Sequence, residues 1–520
     1  MYQLPFELES KKNFSESLIW QLNRDYYQET GIAAWSDNLI PHQMTSNALV
    51  GKVYAEMILG FLKDLAAKNK TTETVYIVEL GAGHGRLAFH VLKHLEKIIA
   101  EINIKLPPYC YVLTDIVEDN LTFFSHHPQF QSYLKKGVLD VAYFDASKNK
   151  EIYLRHAKSN IGVQSLTQPI LAIGNYFFDS LPNDLFLFRD KTMSSFSVSL
   201  HSEKDPKDLD TVTLIKNLKP TYHKNLLQSD FYEEPILNDI LKDYKKSLVN
   251  SHLFFPVVGL KCIQNLKQLS TEGLMLLSMD KGFCELADLD HRGEPQIVKH
   301  GSLSLWVNYH ALGAFCQKNN GKVLFPAYST FHSVVGCFMF LSDSESYCNT
   351  DAAYQHFIND FGPDDFNTIK KLAYTNIAQL SMIELIALMR LSYYDSTFFI
   401  SILPWVKKAA RSITFIERKR LAESLHQIWN MYFNLNESDD LAYEIGGLLY
   451  DIGCYDEALK YFQYSVNVYG NKADVYYNQA MCYYQLRQDQ LFAETLKEAK
   501  AVFPDEALFE QLDKLDLAAI

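Results

Sequence analysis

The sequence lacks the cysteine and histidine patterns that hold metal ions or disulfide frameworks. Its eight cysteines are scattered through 520 residues, and none forms a CxxC pair. The sixteen histidines include the neighbours His126 and His127 but no ligand-spaced pair. Zinc sites and disulfide-stapled folds place such residues at short, regular spacings. We therefore predict neither a metal site nor a disulfide framework.

Long apolar runs and strongly basic stretches are also missing. No apolar run approaches the ~20 residues needed to span a bilayer, and the start MYQLPFELESKKNF has no basic region followed by an apolar core. The net charge is −13, whereas a general nucleic-acid binder needs a basic stripe to displace counterions. We expect a cytoplasmic protein that binds neither membranes nor nucleic acid.

What is present is an alternation of strands and helices between residues 71 and 345. Buried strands are predicted at VYIVEL, YCYVLTD, VLDVAYFD, PILAIGN and GLMLLSMD, and at the closing pair KVLFPA and VVGCFMFL. Helical patterns such as RLAFHVLKHLEKIIAEI separate them. This alternation is typical of doubly wound α/β folds. We predict an α/β Rossmann-like domain with a seven-stranded, mostly parallel sheet.

Four further segments surround or interrupt this pattern. Residues 1–70 have helical spacing and are expected to pack on the α/β domain. Residues from about 190 to 250 are polar and poorly periodic, as in an insertion or lid. Residues 346–404 form a predicted helical connector, and residues 405–520 a predicted all-α domain.

The all-α domain contains an internal repeat. LAYEIGGLLYDIGCYDEALKYFQYSVNVYG aligns with DVYYNQAMCYYQLRQDQLFAETLKEAKAVFP at an offset of 34 residues. The aligned pairs are Gly446 and Ala480, Tyr450 and Tyr484, Phe462 and Leu496, and Ser465 and Ala499. The pattern resembles the tetratricopeptide repeat, which has a period of ~34 residues; the alternative is two unrelated helical hairpins. Such repeats usually present a concave surface to a peptide or protein.

The stretch ELGAGHG follows the first predicted strand and precedes a helix. Gly81, Gly83 and Gly85 can adopt positive φ and let the backbone approach a ligand closely. A NAD site has the spacing GxGxxG, whereas the spacing here is GxGxG. Glu79 would repel a pyrophosphate but suits a cationic or amine-bearing ligand. The motif resembles the (E/D)xGxGxG pattern of Rossmann-like methyltransferases that use S-adenosylmethionine (SAM), so we favour SAM over NAD and over a purely structural turn.

Two more carboxylates follow the next strands. Asp115 ends YVLTD, where it could accept hydrogen bonds from ribose hydroxyls. Asp145 ends VAYFD, and the resemblance to Rossmann-like SAM methyltransferases implies that it binds the adenine amino group. Each acid alone suits an ordinary strand-end cap. Three acids at successive strand ends favour a ligand site, because open parallel sheets bind ligands at that edge.

The fourth strand leads into NYFFDSLP. Asn175 stands where the Rossmann-like SAM methyltransferases that the motif resembles border the transferable methyl group. Asp179 follows two phenylalanines. A loop with two buried phenylalanines would account for Phe177 and Phe178 equally well. It accounts less well for the flanking asparagine and aspartate.

Together these motifs resemble the MidA-like family of SAM-dependent methyltransferases, which includes an arginine methyltransferase for mitochondrial complex I assembly. The family pattern NEFFDALP corresponds to NYFFDSLP here. The segment HQMTSNALVGKVYAEMI is similar to its TSPE…FGE segment, and SMDKG and HGSLS are similar to its DYG and GTL elements. The resemblance covers roughly residues 20–345.

The resemblance also implies residue roles. It implies SAM contacts from Glu79, Gly81, Gly83, Gly85, Asp115 and Asp145, and an acceptor side formed by Asn175, Phe177 and Asp179, with Phe177 also against the cofactor. Tyr176 stands where the family has glutamate. A carboxylate can hold a guanidinium by a bidentate pair, which a tyrosine cannot. Tyr176 or Asp179 could share a proton with the acceptor.

Three functions are compatible with these features. The first is SAM-dependent methylation, including N-methylation, of a protein acceptor recruited by the repeats. The second is a catalytically silent methyltransferase fold that acts as an interaction or assembly factor. The third is a small-molecule methyltransferase with residues 190–250 as its lid, which should keep turning over without the repeats.

Overall fold

The computed structural model describes residues 6–36, 43–294, 297–300, 302–328, 333–435 and 437–512. His42 and Gly301 of the quoted motifs, and the two ends of the chain, lie outside these residues. The chain divides into two compact units, Met1–Asn367 and Thr368–Ile520.

The strands of the first unit are β1 (Phe6–Asn13), β2 (Val75–Glu79), β3 (Tyr109–Asp115), β4 (Leu139–Tyr143), β5 (Ile152–Leu154), β6 (Ser159–Ile161), β7 (Ile170–Ile173), β8 (Asp184–Arg189), β9 (Thr192–Ser202), β10 (Leu218–Leu226), β11 (Asn250–Phe255), β12 (Gly273–Asp280), β13 (Gly282–Phe283), β14 (Val298–His300), β15 (Ser302–Ser304), β16 (Val307–Asn308), β17 (Lys322–Leu324) and β18 (Val334–Leu341).

The helices before residue 363 are α1 (Leu18–Thr30), α2 (Ala33–Ser36), α3 (Gln43–Ser46), α4 (Ala48–Ala67), α5 (Arg86–Glu101), α6 (Glu118–His126), α7 (Gln131–Lys135), α8 (Thr211–Asn217), α9 (Pro235–Ser247), α10 (Val257–Gln268), α11 (Leu286–Leu289), α12 (Tyr309–Lys318) and α13 (Cys348–Tyr354). Those that follow are α14 (Pro363–Asn376), α15 (Met382–Leu391), α16 (Ser396–Ala410), α17 (Phe415–Asn430), α18 (Leu441–Asp451), α19 (Tyr455–Tyr469), α20 (Ala473–Gln485) and α21 (Asp489–Val502).

The main sheet is mixed. Its strand order among the described residues is β17-β18-β12-β7-β2-β3-β4. The five strands from β12 to β4 are parallel, whereas β18 runs antiparallel to both of its neighbours. Every residue of β7 and β12 is buried, as expected for strands whose two faces are both covered. The predicted α/β domain is confirmed, with a mixed sheet.

The order of the strands places the ends of β2, β3, β4 and β7 at one edge of the sheet. The chain crosses over between β2 and β7, which are neighbours in the sheet although β3 and β4 lie between them in sequence. Such a crossover leaves a crevice beyond the carboxyl ends of the strands, where open α/β sheets bind ligands.

A second, antiparallel sheet differs from the sequence-based expectation. The strand β1 lies where helix is predicted, and it pairs with β9, which also pairs with β8 and β10. The polar segment from about 190 to 250 therefore contains β9, β10 and the helices α8 and α9; α9 is amphipathic, with buried side chains that include Leu241 and Tyr244. The strands β8 and β9 form a hairpin in which Arg189 lies opposite Thr192. In contrast, β1 is a strand because it pairs with β9 far along the chain, and local periodicity does not report such a pairing.

The second unit is helical throughout its described secondary structure. Helices α18 and α19 pack together, as do α20 and α21. A core of buried side chains extends from α15 to α20 and includes Leu385, Leu425 and Phe462. The predicted connector boundary at residue 404 falls inside α16, which continues to Ala410.

Candidate functional site

The glycine loop after β2 has an unusual backbone. Gly81, Gly83 and Gly85 all have positive φ, at 61°, 60° and 76°. A Cβ added to Gly81 would lie 3.2 Å from the ring of Phe177, and one added to Gly83 would lie 2.8 Å from Trp35. The backbone conformation therefore favours glycine at both positions, and the close approach of Trp35 adds a steric reason at Gly83. Gly85 serves the fold instead, since it precedes the first residue of α5.

Two buried carboxylates stand beside this loop. The side chain of Glu79 accepts a 2.7 Å hydrogen bond from the hydroxyl of Tyr111, and burial raises the pKa of Glu79 to about 8. Asp115 accepts 2.9 Å hydrogen bonds from the N–H groups of Gly83 and Val117. Burial raises the pKa of Asp115 to about 6, against the lowering effect of these bonds. Asp115 thus fixes the loop to the end of the neighbouring strand.

Asp145, two residues beyond β4, forms an ion pair with a residue of α1. Arg24 Nη1 lies 2.6 Å from Asp145 Oδ2, and Nη2 lies 3.4 Å from Oδ1. The N–H of Ser147 donates to Oδ1 at 2.9 Å. Burial raises the pKa of Asp145, but the hydrogen bonds from Arg24 and Ser147 and the charges of Arg24 and Lys148 together outweigh burial, so the pKa is lowered overall. The sequence analysis missed Arg24, because nothing local relates it to a carboxylate 121 residues away.

Asn175 joins three elements around the end of β7. Its Oδ1 accepts hydrogen bonds from the hydroxyl of Tyr54, at 2.7 Å, and from the N–H of Met279, at 3.0 Å. Its Nδ2 donates to the carbonyl of Thr45 at 2.9 Å. Tyr176 follows with a φ of +46°, a conformation that a bulky side chain adopts only when its surroundings hold it there. Burial raises the pKa of the Tyr176 phenol.

Asp179 lies deeper and shares its surroundings with Asp280 at the end of β12. Both are buried. Burial raises the pKa of Asp179 to about 6, and Lys281 acts in the opposite direction. Burial and then the charge of Asp179 raise the pKa of Asp280. Within the described part of the chain, Asp280 Oδ2 has no hydrogen-bond partner.

Most of the predicted site residues line one cavity of about 370 Å³. This volume is within the range of small-molecule sites. The predicted residues that line it are Glu79, Gly81, Gly83, Asp115, Asp145, Asn175, Tyr176 and Phe177. Gly85 and Asp179 do not line it. The cavity is also lined by residues that were not predicted from the sequence, including Trp20, Arg24, Tyr27, Trp35 and Thr45, which precede the glycine loop, and His84 within it.

These residues fit a SAM-type cofactor. The glycine loop leaves space that any Cβ would fill, at Gly83 most tightly. Carboxylates stand at three successive strand ends around the same cavity, and they can accept hydrogen bonds from hydroxyl and amino groups. Among the described residues, no group of three or more His, Cys, Asp or Glu side chains is arranged to hold a metal ion. Nor is any helix in these residues long and apolar enough to cross a bilayer.

Comparison with known families assigns the class of enzyme. Residues 55–287 match a family model described as "Putative S-adenosyl-L-methionine-dependent methyltransferase". This part of the chain is a SAM-dependent methyltransferase, and SAM is its cofactor. No curated protein matches the chain at a significant level.

Solved structures give weaker similarities. An uncharacterized protein of Burkholderia thailandensis is 12% identical, with a TM-score of 0.38 over 66% of this chain and 82% of its own. A Burkholderia thailandensis protein bound to S-adenosyl-homocysteine is also 12% identical, with a TM-score of 0.39 over 66% of this chain and 83% of its own. The CMeT domain of citrinin polyketide synthase is 9% identical, with a TM-score of 0.25 over 52% and 47%. Likeness this low adds nothing to the family match.

Proposed function

We propose that this enzyme transfers a methyl group from SAM to a protein acceptor that the C-terminal helical unit recruits, with nitrogen among the candidate acceptor atoms. The observation that carries the proposal is the single cavity in which the glycine loop, three strand-end carboxylates and Asn175–Phe177 meet. The motif resemblance to the MidA-like family agrees with it.

On the cofactor side, the roles follow from position and chemistry. Gly81 and Gly83 let the backbone approach the ligand, and Asp115 receives the ribose hydroxyls while it holds the Gly83 N–H. Asp145 receives the adenine amino group. Bound SAM supplies an electrophilic methyl group. The protein's part is to orient the reactants and exclude water.

On the acceptor side, Asn175 is a positioning residue. Both of its oxygen lone pairs are used by Tyr54 and Met279, and one of its two N–H groups is used by Thr45. One N–H remains for a ligand. Tyr176 lines the same cavity. Asp179, which lies outside the cavity lining, acts on the acceptor only through its charge.

For the second unit, the packing supports a tetratricopeptide-like identity. A Cβ on Gly446 would lie 2.8 Å from the ring of Phe462, so α18 and α19 approach closely at that point. The equivalent residues Ala480 and Leu496 share one buried cluster of α20 and α21. The second hairpin therefore buries a small and a large residue in one cluster at the positions that correspond to Gly446 and Phe462 in the 34-residue period, which supports the repeat. Such repeats stack to form surfaces for peptides or proteins.

The first test is calorimetric titration of SAM into the wild-type protein and a Gly83→Arg variant. Binding by the wild type and none by the folded variant supports the cofactor site, whereas no binding by the wild type refutes it. Methyl transfer from labelled SAM to proteins captured by the full-length chain then tests the acceptor. SAM binding without methyl transfer would favour the second candidate, a catalytically silent methyltransferase fold. Tyr176 supports this candidate because it stands where the family has a carboxylate.

A further inference from the structure

Helix α1 contributes one wall of the cofactor cavity. Its residues Trp20, Arg24 and Tyr27 line the cavity, although they lie more than twenty residues before the segment 55–287 that matches the methyltransferase family. The helix is anchored elsewhere by Asn23, whose Oδ1 accepts a 2.8 Å hydrogen bond from the N–H of Leu303. Arg24 is the residue that connects this anchored helix to a strand-end carboxylate of the cofactor site.

The contact between Arg24 and Asp145 has the geometry of an orienting pair. Both guanidinium Nη atoms face the carboxylate, with Nη1 at 2.6 Å from Oδ2 and Nη2 at 3.4 Å from Oδ1. The Asp145 side chain is 2% exposed and that of Arg24 is 21% exposed. A two-point contact between planar groups fixes orientation as well as distance. The neighbouring Lys148 is 3.6 Å from Oδ2 but 73% exposed, so it contributes little to that orientation.

The pair leaves room for a ligand on the carboxylate. An ionised carboxylate has about four lone-pair positions. Arg24 takes one on each oxygen and the N–H of Ser147 takes another on Oδ1. A position on Oδ2 is left to receive a further N–H. The backbone around it is rigid as well, because the Asp145 N–H donates to the Asn149 side chain at 2.8 Å.

We propose that Arg24 is a positioning residue for the cofactor: its guanidinium orients the Asp145 carboxylate to receive the adenine amino group. This inference rests on the proposed adenine contact of Asp145. It assigns part of the cofactor selectivity to a helix outside the family segment. It also makes cofactor affinity depend on how α1 is held in place.

The test compares two probes that differ at one group of the base. S-adenosylhomocysteine carries the adenine amino group, whereas S-inosylhomocysteine carries a carbonyl oxygen there, which an oriented carboxylate repels. The wild type should bind the adenosyl probe at least about tenfold more tightly, because an unpaired buried acceptor is costly. Arg24→Ala should weaken binding of the adenosyl probe about tenfold and reduce the preference to within about threefold. Arg24→Lys, which keeps the charge but not the fork, should fall between them.

The control is Gln28→Ala, an exposed position one turn further along α1, for which both dissociation constants should match the wild type. Circular dichroism and thermal unfolding without ligand verify that each variant is folded. In the double variant with Asp145→Ala, loss of Arg24 should add less than about twofold, because Arg24 acts through that carboxylate.

The outcomes separate this inference from the proposed function. If the wild type binds neither probe, both are refuted. If the wild type binds and the folded Arg24→Ala variant keeps the wild-type affinity and preference, only the role of Arg24 is refuted. If Arg24→Ala weakens both probes equally, Arg24 supports the helix but not the adenine contact, and the inference fails.

Discussion

The substitution Gly83→Ala should show whether the glycine loop binds a cofactor or is only a structural turn. Gly83 has a φ of +60°, and a Cβ there would lie 2.8 Å from Trp35 Cζ2. The ring cannot move away freely, since it stacks on Tyr27 at a centroid distance of 6.1 Å and meets the edge of His84 at 5.7 Å. Gly83→Ala therefore combines backbone strain with crowding inside the cavity.

The expected magnitude follows from these two effects. A non-glycine residue in the left-handed region costs about 1–2 kcal/mol, and crowding of a packed site costs about 1–3 kcal/mol. Together they should lower the free energy of unfolding by about 2–5 kcal/mol, or roughly 2 °C of Tm for each kcal/mol in a unit of this size. Binding of SAM requires the native loop. Each 1.4 kcal/mol of loop distortion weakens it about tenfold, so we expect at least that loss.

Gly137 provides the matched control. Its φ is +68°, and a Cβ there would meet nothing within 4 Å. Gly137→Ala should lower Tm by about 2–4 °C through backbone strain alone, with an unchanged dissociation constant for SAM. Calorimetric titration and thermal unfolding of both variants are the assays. Wild-type affinity in Gly83→Ala, or equal weakening in both variants, would refute the assignment of the loop.

Three other perturbations test different parts of the molecule. The pKa of Glu79 is raised from 4.5 to about 8, so its contribution to stability is present below pH 4.5 and is lost as pH rises to 8. Cationic SAM favours the ionised form of Glu79, so SAM affinity should rise from pH 6 to 8 more than the affinity for neutral S-adenosylhomocysteine does. A Glu79→Gln variant should lose this difference between the ligands, and equal pH profiles for both ligands in the wild type would contradict the role of Glu79. Asn175→Ala leaves the buried Tyr54 hydroxyl without its acceptor, which should cost about 1–3 kcal/mol in thermal unfolding; Tm within 1 °C of the wild type would exclude that role. In α18, Gly446→Ala places a Cβ 2.8 Å from a phenylalanine ring, whereas a Cβ at Gly447 meets nothing within 4 Å. In chemical denaturation, Gly446→Ala should destabilise the helical unit by about 1–3 kcal/mol, and Gly447→Ala should stabilise it by about 0.5–1 kcal/mol. The reverse order would contradict the packing of α18 on α19.

The sequence predicts the main sheet because buried parallel strands have a local signature. The runs at Val75–Glu79 and Gly273–Asp280 are nearly continuous in apolar residues, and both are buried in the structure. The strand Phe6–Asn13 has no such signature. It is a strand because its backbone pairs with Thr192–Ser202, about 190 residues away, and propensity carries no information about that edge.

Local sequence signals and contacts between distant residues also decide which residues of the cavity can be predicted. Glu79, Gly81, Gly83 and Asp115 are close in sequence to strand ends, so topology alone places them together. Gly85 belongs to the same motif yet lies outside the cavity lining, because a motif does not distinguish a ligand-facing glycine from one that starts a helix. Arg24 could not be found from sequence, since its partner is 121 residues away.

The cavity therefore has two walls of different origin. One wall belongs to the segment 55–287 that matches the methyltransferase family, and its strand ends and glycine loop suit a cofactor shared by many enzymes. The other wall comes from residues between 15 and 35 and from residues 45 and 46, which precede that segment and bring aromatic rings, hydroxyls and one guanidinium. A shared cofactor constrains the first wall and, through the proposed action of Arg24 on Asp145, part of the second. We therefore expect substitutions at Glu16 and Gln21, which line the second wall and have no assigned part in holding Arg24 or Asp145, to change which acceptor is methylated, while SAM affinity stays within about threefold of the wild type.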